Sequence, residues 1–263
     1  PLFGKPNFVC TPHLGASTTE AQENVALQVA EQMADYLVKG AVSNAINMPS
    51  ITAEEAPILK PFIRLSDVLG SFAGQVTENP IKQIEILYDG VTAGMNTKAL
   101  TSALLAGLIR NQVSDVNMVS APIMIKEKGI ILSEVKRDKT GVYDGYIKLT
   151  VTTDKQTRSV AGTVFSDGKP RFIQIKGINM DAEVGQHMIY IANTDVPGMI
   201  GFMGSTLGDA GVNIANFQLG REKESGDAIA LLYVDELVSQ DVLDKLTAHH
   251  AIKQAKPLVF NVD

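Results

Sequence analysis

A single cysteine, Cys10, stands in the 263-residue sequence, and tryptophan is absent. One thiol permits no internal disulfide, and the composition fits a reducing compartment such as the cytoplasm. The apolar runs are far too short to cross a bilayer, so no membrane span is expected. Positive charge is also in deficit. Lys and Arg number 23 against 29 Asp and Glu, for a net charge of −6, and no basic stripe interleaves with aromatics. That balance gives no long-range attraction to polyanions, and nucleic acid drops out as a partner. No spacing of His, Cys, Asp or Glu matches a metal site. Pro1, Leu2, Phe3 and Gly4 carry neither an initiating methionine nor a charged-then-apolar targeting pattern. Such a start is expected of a piece of a longer protein.

What is present supports packed cores: 45% of residues are hydrophobic and 20% charged. The length exceeds what one typical core needs and points to two domains with an incomplete third. Residues 7–10 read as a short strand leaving into a loop at Pro12 and Gly15. Ser17 and Glu20 have capping-box spacing at the head of a helix that runs to Lys39, with Val25, Val29, Met33, Tyr36 and Leu37 forming a face expected to be buried. Gly40 ends it. Residues 41–51 read as an extended connector closed by Pro49.

A second helical pattern opens at Ala56 and Pro57, with Ile58, Phe62, Leu65, Leu69 and Phe72 on one stripe. Ile84, Ile86 and Tyr88 alternate as in a strand, Gly90 turns the chain, and residues 97–110 form a third helix. Residues 117–122 read as a loop. The β-branched stretch 130–175, broken at Gly141, Gly145, Gly162 and Gly168, predicts four short antiparallel strands. From Gln186 onward the order is βαββαβ, with strands at 187–192, 212–219, 228–234 and 258–262 and helices ending at Leu207 and spanning 241–248. That order is the ferredoxin-like arrangement, whose sheet leaves an edge for a neighbour. The fold class is therefore α+β, divided at 1–52, 53–185 and 186–263.

The loop 193–198 joins a carboxylate, a glycine and a helix N-terminus, which together suit a small zwitterion. Asp195 would face an ammonium group. The N–H groups of Gly198, Met199 and Ile200 would receive a carboxylate, and Asn213 could bond a ligand hydroxyl. The simpler alternative is that Asp195 caps the helix and Pro197 occupies its first turn. Lys169, Arg171 and Lys176 are cations close in sequence on a hairpin, readable either as an anion site or as solvated charges. Met180, Met188, Met199 and Met203 read as gap-filling core residues, and His249 and His250 as a helix end.

Asn193-x-Asp195-x-Pro197-Gly198-x-Ile200-Gly201, followed by Gly211-Val212-Asn213-Ile214, resembles the effector loop of ACT domains. In that family two copies pair and hold amino acids at their interface, which implies Asn193, Asp195, Pro197, Gly198, Met199, Ile200, Asn213 and Ile214 as effector residues. Thr11-Pro12-His13-Leu14-Gly15-Ala16-Ser17-Thr18 is similar to the catalytic-histidine segment of the D-3-phosphoglycerate dehydrogenase family. The whole chain resembles the C-terminal part of the long bacterial form of those enzymes: a remnant of the nucleotide-binding domain, an intervening regulatory domain and an ACT domain.

The resemblance implies that His13 is the general acid and base for oxidation of 3-phosphoglycerate with NAD, the first step of serine synthesis, a role that suits imidazole. It also implies L-serine as effector, with Asn213 for its hydroxyl and Asp195 for its ammonium, and self-association through the ACT and intervening domains. Arg171 stands where the family can place an anion-binding cation, and Glu183 where some relatives carry another. No Gly-x-Gly-x-x-Gly turn follows a strand, so NAD is expected in the full-length enzyme and not on this chain, which should be inactive alone. The rival expectation is a non-catalytic ACT-type dimerisation module that recognises no amino acid.

Overall fold

The computed structural model describes residues 2–138 and 141–261. By its contacts the chain forms two units, one of residues 1–46 and 50–57, the other of residues 47–49 and 58–263.

The first unit is built on helix α1 (Thr19–Lys39). Its start lies one residue later than the sequence suggests. Thr18 is the cap, its hydroxyl accepting from the Ala21 amide at 3.1 Å, and Gly40 ends the helix in the left-handed region at φ 74°. The reciprocal capping box expected at Ser17 and Glu20 occurs instead at Thr52 and Glu55. There the Glu55 carboxylate accepts from the Thr52 amide at 3.0 Å, and the Thr52 hydroxyl accepts from the Glu55 amide at 3.2 Å. Two further expectations fail in this unit. Residues 7–10 form no strand and pair with none among the described residues, and α1 buries none of its residues. The stripe from Val25 to Leu37 has helical periodicity, but periodicity reports only that a face is apolar, not that anything covers it. The connector closes on itself through a two-residue antiparallel bridge, Val42 to Ile51.

The second unit takes all but the first two residues of α2 (Ala56–Val76), then β1 (Ile81–Gly90), α3 (Thr97–Ile109), α4 (Ser120–Glu127) and β2 (Ile131–Arg137). Strands β3 (Gly145–Thr153), β4 (Thr157–Val164), β5 (Pro170–Ile175) and β6 (Ile178–Glu183) complete a six-stranded sheet in the order β2-β1-β3-β4-β5-β6. Ile84, Ile86 and Tyr88 are buried as alternation predicts, and so are Leu65, Leu69 and Phe72 of α2. Ile58 is exposed and Leu59 takes its place.

Three glycines let α2 and α3 touch through backbone. A Cβ at Gly70 would lie 1.9 Å from the Leu104 carbonyl oxygen, one at Gly74 2.2 Å from that of Leu108, and one at Gly107 2.3 Å from that of Asp67. Two sequence expectations are corrected here. Strand β2 runs parallel to β1, because α3 and α4 intervene and return the chain to the same end of the sheet. Residues 117–122 are not all loop: the Asn117 side-chain oxygen accepts from the amides of Val119 and Ser120 at 2.8 and 3.0 Å and starts α4, with Pro122 tolerated in its first turn.

The chain then forms β7 (His187–Thr194), α5 (Met199–Asp209), β8 (Ile214–Arg221), β9 (Asp227–Val234), α6 (Gln240–Thr247) and β10 (Ile252–Val259). The sheet order β10-β7-β9-β8 is ferredoxin-like, with β10 and β8 at its two edges. The last strand starts earlier than expected and ends at Val259; of the expected span 258–262, residue 262 lies outside the described residues.

Alternation divides the faces of this sheet. Ile189, Ile191, Ala230 and Leu232 point toward Met199, Met203 and Leu207 of α5 and Leu243 and Leu246 of α6. Tyr190 points the other way and meets the Phe72 ring edge-on at 5.6 Å, while Phe172 lies between Phe72 at 5.2 Å and Phe260 at 5.9 Å. The Gln75 side-chain amide completes this seam like an extra peptide unit, donating to the Val259 carbonyl at 2.9 Å and accepting from its amide at 2.8 Å. Lys256 also pairs with Glu78 at 2.6 Å. The ferredoxin-like sheet therefore has helices on one face and the preceding α+β sheet and α2 on the other.

Candidate functional site

The loop after β7 is set by backbone bonds. The Thr194 amide donates to the Ala251 carbonyl and the Asp195 amide to that of Gly226, each at 2.8 Å. Gly198 then takes φ 88° and becomes the residue before α5, with no side chain capping the helix. Asp195 is thus not the helix cap, and Pro197 precedes the helix instead of opening it. The first amides of α5 are left without intrahelical partners, as at any helix start.

The Asp195 carboxylate is turned to Arg221, at the end of β8, with Nη1 to Oδ2 at 3.0 Å. Pattern reading missed this arginine. The available signal was an opposite charge at the end of the strand that must return past the loop. Around the pair opens a cavity of about 670 Å³ lined by Asn193, Asp195, Pro197, Gly198, Ile200 and Arg221 among others. Asn193 is 2% exposed; its amide nitrogen donates to the Thr194 carbonyl at 2.8 Å, and its buried side-chain oxygen has no partner. A buried acceptor without a donor is costly, so this oxygen is a ready contact for a ligand N–H.

Asn213 and Ile214 are not in this cavity. Strands β7 and β8 are both antiparallel to β9, and Ile214 registers with Val234 whereas Arg221 registers with Ala228. Asn213 therefore lies at the other end of the sheet, on the order of 25 Å from Arg221 at roughly 3.3 Å per residue. There its amide donates to Asp235 at 2.8 Å.

The other predicted residues are not assembled into a site either. His13 is exposed on the loop before α1. No strand precedes that loop among the described residues. The three hairpin cations are split. β5 pairs with β6 so that Arg171 faces Glu183, which takes both Arg171 and Lys169 at 3.5 Å, while Asp167 takes Arg171 at the same distance. Lys176 follows the far end of β5 at φ 52° and lines a separate small cavity with Asp227 and Lys253. Met180, Met188, Met199 and Met203 are buried as expected. His249 stacks between Phe202 and His250 at 4.5 and 4.6 Å. Among the described residues no group of His, Cys, Asp or Glu is poised to hold a metal, and no helix is long and apolar enough to cross a membrane.

An α+β sheet layer that backs onto a ferredoxin-like sheet, itself carrying a glycine-capped loop and a cavity, defines a two-part α+β architecture. Residues 58–176 match the family described as the D-3-phosphoglycerate dehydrogenase intervening domain. Over 94% of its length the chain is 37% identical to a D-3-phosphoglycerate dehydrogenase of Bacillus subtilis (strain 168), covering 47% of that relative. It is 35% identical over 95% of its length to that of Synechocystis sp., covering 45%, and 34% identical over 94% to that of Methanocaldococcus jannaschii, covering 47%. The chain is thus similar to D-3-phosphoglycerate dehydrogenases, with residues 58–176 matching their intervening domain, and it spans under half the length of these curated relatives.

Proposed function

We propose that the chain is the regulatory portion of a D-3-phosphoglycerate dehydrogenase and that its ferredoxin-like unit is an ACT domain binding L-serine between two copies. In the whole enzyme, oxidation of 3-phosphoglycerate with NAD would use His13 as acid and base, with the dinucleotide held by residues outside this chain. The observation that carries the reading is the Asp195 cavity. It offers a carboxylate, a guanidinium, free helix-start amides and the unpartnered Asn193 oxygen around one cavity.

A zwitterion can exchange partners with the Asp195–Arg221 pair, giving its ammonium to the former and its carboxylate to the latter or to the amides of Met199 and Ile200. Asn213 belongs to this set only across copies. Antiparallel self-pairing of the edge strand β8, centred on Phe217, would bring Asn213 of one copy opposite Arg221 of the other. Serine would then hold the pair in one arrangement, and inhibition would be a coupling free energy between that arrangement and distant domains. Calorimetry tests the assignment: Asp195→Ala should weaken L-serine binding by at least about tenfold, the loss of one hydrogen bond to a charged group. Unchanged binding contradicts it.

The Asp195–Arg221 ion pair also favours a second reading, in which the loop is already neutralised and the unit only dimerises. A panel of amino acids in thermal melts separates the two, since a ligand that binds only the folded state raises the midpoint. A midpoint raised by none of them supports the dimerisation module.

A further inference from the structure

A second cavity, of about 610 Å³, opens between α2, α3 and the loop entering α4. Its charged lining is Lys60, Arg64, Asp67 and Arg110, and these charges do not cancel. Arg110 grips Asp67 with both prongs, Nη1 to Oδ2 at 3.1 Å and Nη2 to Oδ1 at 2.5 Å, and so consumes the single carboxylate among them. Lys60 and Arg64 lie one turn apart on α2, where like charges repel. The Nε of Arg64 is buried and has no hydrogen-bond partner. A guanidinium donor withdrawn from water with no acceptor costs stability that a ligand oxygen would recover. The remaining wall is largely apolar, formed by Ala103, Ala106, Val116 and Met118.

We propose that this cavity binds a small organic oxyanion, a carboxylate or phosphate head on an apolar body, with Arg64 and Lys60 taking the head. The planar guanidinium suits either head group, since both present two oxygens at matching spacing. Arg110, held by Asp67, shapes the site without donating its charge. The cavity is formed mainly by the intervening domain and shares no residue with the Asp195 loop, so the proposal stands apart from the serine reading.

Calorimetry on the whole chain with phenyl phosphate, benzoate and inorganic phosphate tests it. One of the two aromatic anions should bind with a stoichiometry of one per chain, the tighter identifying the head group, and inorganic phosphate should bind more weakly than that anion because it has no body. Arg64→Gln should weaken the tighter anion by about tenfold. Lys60→Gln, at an exposed position that folding tolerates, should weaken it in the same direction and keeps the test open if the first variant misfolds. The proposal is overturned if neither aromatic anion gives heat at millimolar concentration. It is also overturned if the folded variants bind the tighter anion as the parent does, or if inorganic phosphate matches that anion.

Discussion

Asp195 shows how a residue can be found by pattern while its neighbour in space is not. Its place before a Pro-Gly helix start suggests either a ligand contact or a cap, and the structure gives it a third partner, Arg221. That partner arrives from a strand the linear motif does not contain, so only the fold could supply it. Glu78 makes the same point with a measurable consequence. Its carboxyl is held below the ordinary glutamate value chiefly by the hydrogen bond from Lys256, then by that residue's charge. A group with a lowered folded pKa contributes stability above its unfolded pKa, near 4.3, and loses it as pH falls through the folded value. Glu78→Gln should therefore lower the urea midpoint at neutral pH, and the gap from the parent should close as pH drops below about 4. The ion pair is largely exposed, so added salt should shrink the gap as well. A gap independent of pH would assign the loss to packing instead.

At the scale of elements, close helix contact gives the sharpest expectation. Gly70 cannot accept even a methyl group, because the Leu104 carbonyl occupies that space and both partners are backbone. Gly70→Ala should lower unfolding free energy by about 3 kcal/mol through overpacking, measured by denaturant titration. A change within experimental error would mean that α2 and α3 can slide apart freely. Most elements were legible because each carries its own period. The runs Ile84-x-Ile86-x-Tyr88 and Leu65 to Phe72 announce a strand and a helix and are buried accordingly. What was not legible depends on partners. The direction of β2 is decided by the crossover through α3 and α4, not by residues 131–137. The exposure of α1 is decided by what covers it. At its start, the sequence favours Ser17 as the cap by residue type and by its spacing from Glu20, yet the backbone places Thr18 there. The three cations of the hairpin fail as a cluster for a related reason, since β5–β6 pairing brings Glu183 across from Arg171.

At the scale of the whole molecule, one face of the ferredoxin-like sheet is filled by α5 and α6 and the other by Phe72, Phe172 and the β6 strand, with β8 at one of its two edges. An edge is a place for another strand, and a second copy supplies one by two-fold symmetry. The candidate effector residues were readable as a set, but their separation to opposite ends of one sheet was not, because it follows from the register of β8 on β9. The central claim is that the set closes only between copies, with Asp195 from one and Asn213 from the other. It is tested most directly by mixing two inactive variants. Asp195→Ala and Asn213→Ala chains, unfolded together, refolded and titrated with L-serine, should each fail alone yet recover tight binding at about a quarter of the sites in the mixture, since half the dimers are mixed and each keeps one intact site. No recovery in a mixture shown to form mixed dimers, or full binding by the Asn213→Ala chain alone, would contradict the account.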